Sequence, residues 1–153
     1  MKLSQIAGFG LLSLLSSLSA AQLELMGGHV RAMPPGQPNT AAFLLVRNPA
    51  DQDVTLVSAA TPTAQRAEFH NHIMDGQGVM RMRAVDQVTV AAQGQFEFKP
   101  GAYHIMLMGL TKPLTPADKV TLTLTDSEGQ QHTLTLPVQS LVEDHGHHGH
   151  HHH

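Results

Sequence analysis

Histidine and methionine residues that could share one soft metal ion fall in three short clusters. His104-Ile105-Met106-Leu107-Met108 places an imidazole and two thioethers at alternate positions. Alternate residues of an extended strand share a face, so His104, Met106 and Met108 point one way while Tyr103, Ile105 and Leu107 form a core face. Glu68-Phe69-His70-Asn71-His72-Ile73-Met74 sets His70 and His72 opposite Phe69. Val79-Met80-Arg81-Met82-Arg83 pairs Met80 with Met82 and turns both arginines away. Thioether sulfur is soft and uncharged, and it favours Cu(I) over Zn(II), Ca(II) or Mg(II). Any one cluster also fits ordinary packing, because methionine fills gaps in cores. Together they offer two imidazoles and two thioethers from three strands.

The composition excludes several other chemistries. No cysteine occurs in the 153 residues, which rules out a blue-copper electron-transfer centre, thiolate zinc sites and cysteine nucleophiles. A net charge of −3 and the lack of a basic patch argue against nucleic acid as a partner. No Ser-His-Asp constellation, nucleotide loop or paired carboxylates point to an enzyme, and a metal hydrolase would use harder ligands than thioethers.

The elements that must position these residues are short strands. Lys2, the apolar run Ile6 to Leu18 and Ser19-Ala20-Ala21 have the layout of a secretory signal peptide. Residues 1–21 are therefore assigned to a signal cleaved after Ala20 or Ala21, leaving a soluble extracytoplasmic protein that does not span the membrane. Residues 22–142 form one domain. Its strands are read at Leu23 to Met33, Thr40 to Arg47, Val54 to Ala59, Ala64 to His72, Val79 to Val85 and Val88 to Val90. Phe96 and Phe98 mark another, followed by Tyr103 to Leu110, Lys119 to Thr125 and Gln131 to Val138. Turns rich in Gly, Pro and Asp separate them, and no window keeps a helical apolar period. An all-β antiparallel sandwich or barrel is expected. A hairpin around Asp75 to Gly78 would bring His70 and His72 near Met80 and Met82.

The ordered set of motifs resembles the periplasmic CuA copper-chaperone family (PCuAC). The resemblance rests on Ala67-Glu68-Phe69-His70, on Gly78-Val79-Met80-Arg81-Met82-Arg83, and on Pro100 to Leu110 (PGAYHIMLMGL), and it runs from about Leu23 to Val138. The family pattern is a His, a Met some ten residues on, then 21 residues and HxM. Here 21 residues separate Met82 from His104, and Met106 completes HxM. The resemblance implies a cupredoxin-like Greek-key β-sandwich or barrel, with Cu(I) held by His70, Met82, His104 and Met106. His70 and His72 straddle the expected first position; His70 is preferred because it follows Ala-Glu-Phe. His72, Met80 and Met108 are reserves. The implied role is a periplasmic carrier delivering Cu(I) to the CuA centre of cytochrome c oxidase subunit II, with a thiol reductant as a candidate second partner.

Seven of the twelve histidines lie in the last nine residues. The tail, 143–153, has nothing to bury and is expected to be disordered without metal. Its glycine-interrupted run, with His145, His147, His148 and His150, is read as a native chelator of Cu(II), Zn(II) or Ni(II) that could gather metal for the domain. A copper or zinc buffer acting through this tail is one rival reading, and a structural sandwich with packed His and Met is another. Met26, His29 and Met33 are assigned to ordinary strand packing, and His132 to the surface.

Overall fold

A computed structural model describes residues 22–140. The expected signal peptide and the histidine-rich tail both lie outside the described residues. Ten strands follow in chain order: β1 (Glu24–Arg31), β2 (Asn39–Arg47), β3 (Val54–Ala60), β4 (Ala64–Met74), β5 (Met80–Val85), β6 (Val88–Val90), β7 (Gln95–Phe98), β8 (His104–Leu110), β9 (Lys119–Asp126) and β10 (Gln131–Gln139). Seven close into a barrel in the order β4-β8-β2-β1-β10-β9-β3, with β3 returning to β4. The all-β, cupredoxin-like expectation holds. Pairings are antiparallel except β1 with β10, which run parallel. Three strands lie outside the ring: β5 extends β4, β6 extends β3 and β7 pairs with β2. Among the described residues no helix is long and apolar enough to cross a membrane.

The alternating sequence explains the wall. In β9, Val120, Leu122 and Leu124 are fully buried, while the intervening threonines Thr121 and Thr123 meet Thr135 and Thr133 of β10 outside. Ile105 and Leu107 of β8, Phe69 of β4 and Phe98 of β7 fill the same core, with Phe69 stacked on Phe98 at 5.8 Å. Closing the ring leaves few open edges, one of which is β5.

Two features depart from the strand reading. The first is a bulge in β1 between Met26 and His29. Gly27 and Gly28 both have positive φ, and a Cβ on Gly28 would sit 2.0 Å from the Phe43 carbonyl oxygen. Leu23 and Leu25 face the core before the bulge, whereas Val30 and Ala32 do so after it. That one-residue slip turns His29, Arg31 and Met33 outward.

The second is His132, which is buried at 5% exposure rather than lying on the surface. It occupies the inward register of β10 with Leu134, Leu136 and Val138. Its Nε2 donates to Asp126 Oδ2 at 3.0 Å, and the other carboxylate oxygen of Asp126 accepts the backbone amides of Glu128 and Gln130. The carboxylate that ties the β9–β10 turn therefore also supplies the partner a buried imidazole needs.

Candidate metal centre

The residues that could bind a metal stand in rows on the outer face of β8, β4 and β5. β4 lies between the other two, so cross-strand register fixes each neighbour. His104 is opposite His70, and Ala84 completes that row. One row toward the β4–β5 turn, His72 faces Met82. One row the other way, Met106 lies between Ala41 of β2 and Glu68 of β4. Residues two apart along a strand are about 7 Å apart, so the four expected ligands fit within adjacent rows. A cavity of about 260 Å³ opens over this face, lined by His72, Met82, His104, Met106, Arg31, Met33 and Phe43 among others.

His104 anchors the floor at 3% exposure. Its ring centroid lies 5.8 Å from that of His70 and 5.3 Å from that of His72. Two imidazoles sharing one ion through bonds of roughly 2 Å have centroids about 5 to 6 Å apart, so either spacing suits a common metal. Among the described residues no group of three or more His, Cys, Asp or Glu side chains is arranged to hold a metal ion. Met82 and Met106 are the thioethers that line the cavity beside the two rings His72 and His104.

Hydrogen bonds set the tautomers of two rings. His104 Nδ1 donates to the Ala102 carbonyl at 2.9 Å, because a carbonyl can only accept; Nε2 is left with the lone pair. His70 Nε2 donates to Glu68 Oε2 at 3.0 Å, and Glu68 also pairs with Arg66 at 3.2 Å. The remaining nitrogen of His70, Nδ1, is buried and has no partner. A carboxylate fixing one imidazole nitrogen while the other carries a lone pair is the arrangement that supports metal-binding histidines. The two β4 histidines thus divide the signals: His72 lines the cavity, whereas His70 carries the buried, unpartnered nitrogen beside it.

The electrostatics keep His104 available as a neutral ligand. Burial holds its pKa below the ordinary imidazole value against the opposing pull of the Ala102 carbonyl, and His72, His70 and Arg31 push the same way as burial. Arg31 lies over the Phe43 ring at 5.3 Å, with its Nε buried and unpartnered. Repulsion scales with ion charge, so a guanidinium beside the cavity opposes a dication more than a monocation. Arg31, which the sequence did not single out, and Met33, assigned above to ordinary strand packing, both line the cavity. The Gly27-Gly28 pair was their signal, since paired glycines in a strand mark a bulge that changes its face. Met26 and His29 stay outside the cavity, His29 packing on Phe43 at 5.2 Å.

The reserve methionines stand farther off. Met108 faces Arg66, whose Nη2 donates to its sulfur at 3.5 Å. Met80 faces Met74 beside the hairpin turn. Neither lines the cavity.

The fold is that of PCuAC domains. The copper-bound PCuAC domain from PmoF2 superposes with a TM-score of 0.65 at 19% identity, over 80% of this chain and 97% of that one. The solution structure of apo-DR1885 from Deinococcus radiodurans gives a TM-score of 0.61 at 29% identity, covering 94% and 95% of the two chains. That of CuI-DR1885 gives 0.61 at 30%, covering 83% of each. A "Putative lipoprotein Lxx21020" from Leifsonia xyli subsp. xyli is 30% identical over 106 residues, 69% of this chain; the match spans 64% of that protein's length. The family model described as LpqE-like ("Putative lipoprotein LpqE-like") matches residues 23–138. The chain belongs to this family, which corresponds to the PCuAC family.

Proposed function

We propose that this chain is an extracytoplasmic copper(I) carrier that holds one ion through His70, Met82, His104 and Met106 and gives it up to an acceptor protein. The observation that carries the reading is the pair of oriented imidazoles, His70 and His104, with lone-pair nitrogens left over and thioethers one row to either side. Support also comes from similar proteins whose solved forms are described as copper-bound or CuI-loaded. Two neutral nitrogens and two neutral sulfurs suit a soft monovalent ion, and the Arg31 charge adds to that preference. His72, at the cavity wall, stands where it can bind transiently during exchange.

A carrier needs a site that an acceptor can reach. Met82 is 46% exposed whereas His104 is buried, so an incoming ligand can displace the outer thioether before the inner imidazole. Thioethers also escape the disulfide chemistry that consumes thiolates outside the cytoplasm. The family resemblance supports the CuA centre of cytochrome c oxidase subunit II as acceptor, with no catalytic step assigned to the carrier. The tail histidines are proposed to collect Cu(II) or another borderline ion for the domain.

X-ray absorption at the copper edge on the Cu(I)-loaded full chain tests the ligand set. Residues 141–153 contain no methionine, so sulfur scattering cannot come from the tail. Mixed nitrogen and sulfur scattering is expected, with sulfur lost in a Met82→Leu/Met106→Leu variant. Nitrogen-only scattering from the unaltered protein would defeat the reading and favour a tail-based buffer.

A further inference from the structure

Beyond the cavity, the same face of the β4–β5 hairpin carries one more row. Met74 is the cross-strand partner of Met80, as His72 is of Met82 and His70 of Ala84. Directly paired residues of antiparallel strands share a face with Cβ atoms about 5 Å apart, so the two thioethers stand side by side. The next row inward, with Met82, is about 7 Å away. Exposure grows along this line, from 46% at Met82 to 52% at Met80 and 63% at Met74. Methionines that fill a core are buried, and these are not.

The hairpin end is held in shape. Asp75 Oδ1 accepts the amides of Gln77 and Val79, Asp75 N donates to the Val79 carbonyl, and Arg81 Nε donates to Asp75 Oδ2 at 2.7 Å. Arg81 alternates with Met80 and Met82, so its cation belongs to the opposite face. The methionine face thus presents soft, neutral donors on a braced turn.

We propose that Met74 and Met80 form a second, outer Cu(I) site through which the ion enters and leaves the inner one. This rests on the carrier reading above and extends it. Two thioethers suffice for a weak, fast-exchanging Cu(I) complex and attract hard divalent ions poorly. The ion moves one row inward by exchanging a Met80 or Met74 sulfur for that of Met82, then gains imidazole nitrogen. Copper remains monovalent throughout; each Cu–S coordination bond broken is replaced by a Cu–S or Cu–N bond formed, and no proton or electron is transferred.

The test uses full-length protein carrying Met74→Leu and Met80→Leu, with Met26→Leu, another exposed methionine, as control. The first equivalent of Cu(I) should bind the double variant as tightly as the unaltered protein, measured by competition with a chromophoric Cu(I) chelator. Transfer of that ion to a small dithiol should slow by about tenfold, a barrier change of one decade, and the control should transfer at the unaltered rate. In the unaltered protein labelled at methionine methyls, Met74 and Met80 signals should shift on the second equivalent of Cu(I). Unchanged transfer in the double variant, or methyl signals that stay fixed, would overturn the outer site. Failure of the unaltered protein to bind a first equivalent through sulfur would instead sink the carrier reading, so the two failures are separable. Both positions are exposed, and thermal melting checks that leucine leaves the fold intact.

Discussion

Buried histidines occur at two places in this barrel, and their surroundings differ. His132 sits inside the wall near the β9–β10 turn, where Asp126 accepts a hydrogen bond from its Nε2 and is itself held by two backbone amides. His104 sits under the outer face, where the Ala102 carbonyl accepts a hydrogen bond from Nδ1 and the ring borders a cavity that His72, Met82 and Met106 also line, with His70 beside it. The first arrangement closes a hydrogen-bond circuit, and the second leaves a donor pair open. Burial alone therefore does not mark a metal ligand. Burial with a lone pair that no protein group uses is what makes His104 the candidate and His132 not.

Substitutions can break this contrast. The largest expected effect is at His104: replacement by Ala should weaken Cu(I) binding by at least about a hundredfold, beyond the range for a supporting residue, as read by chelator competition. His132→Ala should leave that affinity within about threefold yet lower stability by roughly 2 to 3 kcal/mol, because it leaves the Oδ2 of a buried carboxylate without its donor. Denaturant melts of the two variants measure this; copper loss in His132→Ala without unfolding would erase the contrast. Between the β4 histidines, His70→Ala should cost about tenfold or more in affinity and His72→Ala less. The reverse order would move the ligand to the cavity-lining ring.

The pH dependence sharpens the same comparison. Because burial lowers the folded pKa of His104, its neutral form is favoured in the native state. Its contribution to stability is present above the ordinary value of about 6.5 and is lost as pH falls through the folded value. Proton competition with Cu(I) at this ligand should likewise set in below that ordinary value, as an NMR titration of the imidazole would show. For Asp126, burial opposes ionisation, but the His132 bond and the Gln130 and Glu128 amides together outweigh it, and the pKa lies below the ordinary carboxylate value. The stability it contributes should persist above the ordinary value of about 3.9 and vanish as pH falls through the folded one. The smallest effect belongs to Met108→Leu, which should leave affinity within about twofold, since Arg66 already engages that sulfur.

Much of the wall could be read directly from the chain. Strict alternation in Lys119 to Thr125 and in Tyr103 to Leu107 assigns inner and outer residues, because a strand has a period of two. The Asp75–Gly78 turn fixed the hairpin that sets His72 across from Met82. His132 alternates with Leu134 and Leu136, a pattern that places it inward, but an imidazole buried there needs a polar partner that the strand itself does not supply. That partner, Asp126, ends β9 at the turn, six residues away in sequence.

Composition and local pattern by themselves determined an all-β domain, the absence of thiol chemistry, and which imidazoles and thioethers share a strand face. Those features depend on residue type and on a period that operates within a few positions. Only the tertiary structure decided that β4 lies against β8, which sets His70 opposite His104, and that the Gly27-Gly28 bulge turns Arg31 and Met33 toward the cavity. Strand neighbours far apart in the chain are chosen by ring closure around a shared core, a condition that no local stretch of sequence contains.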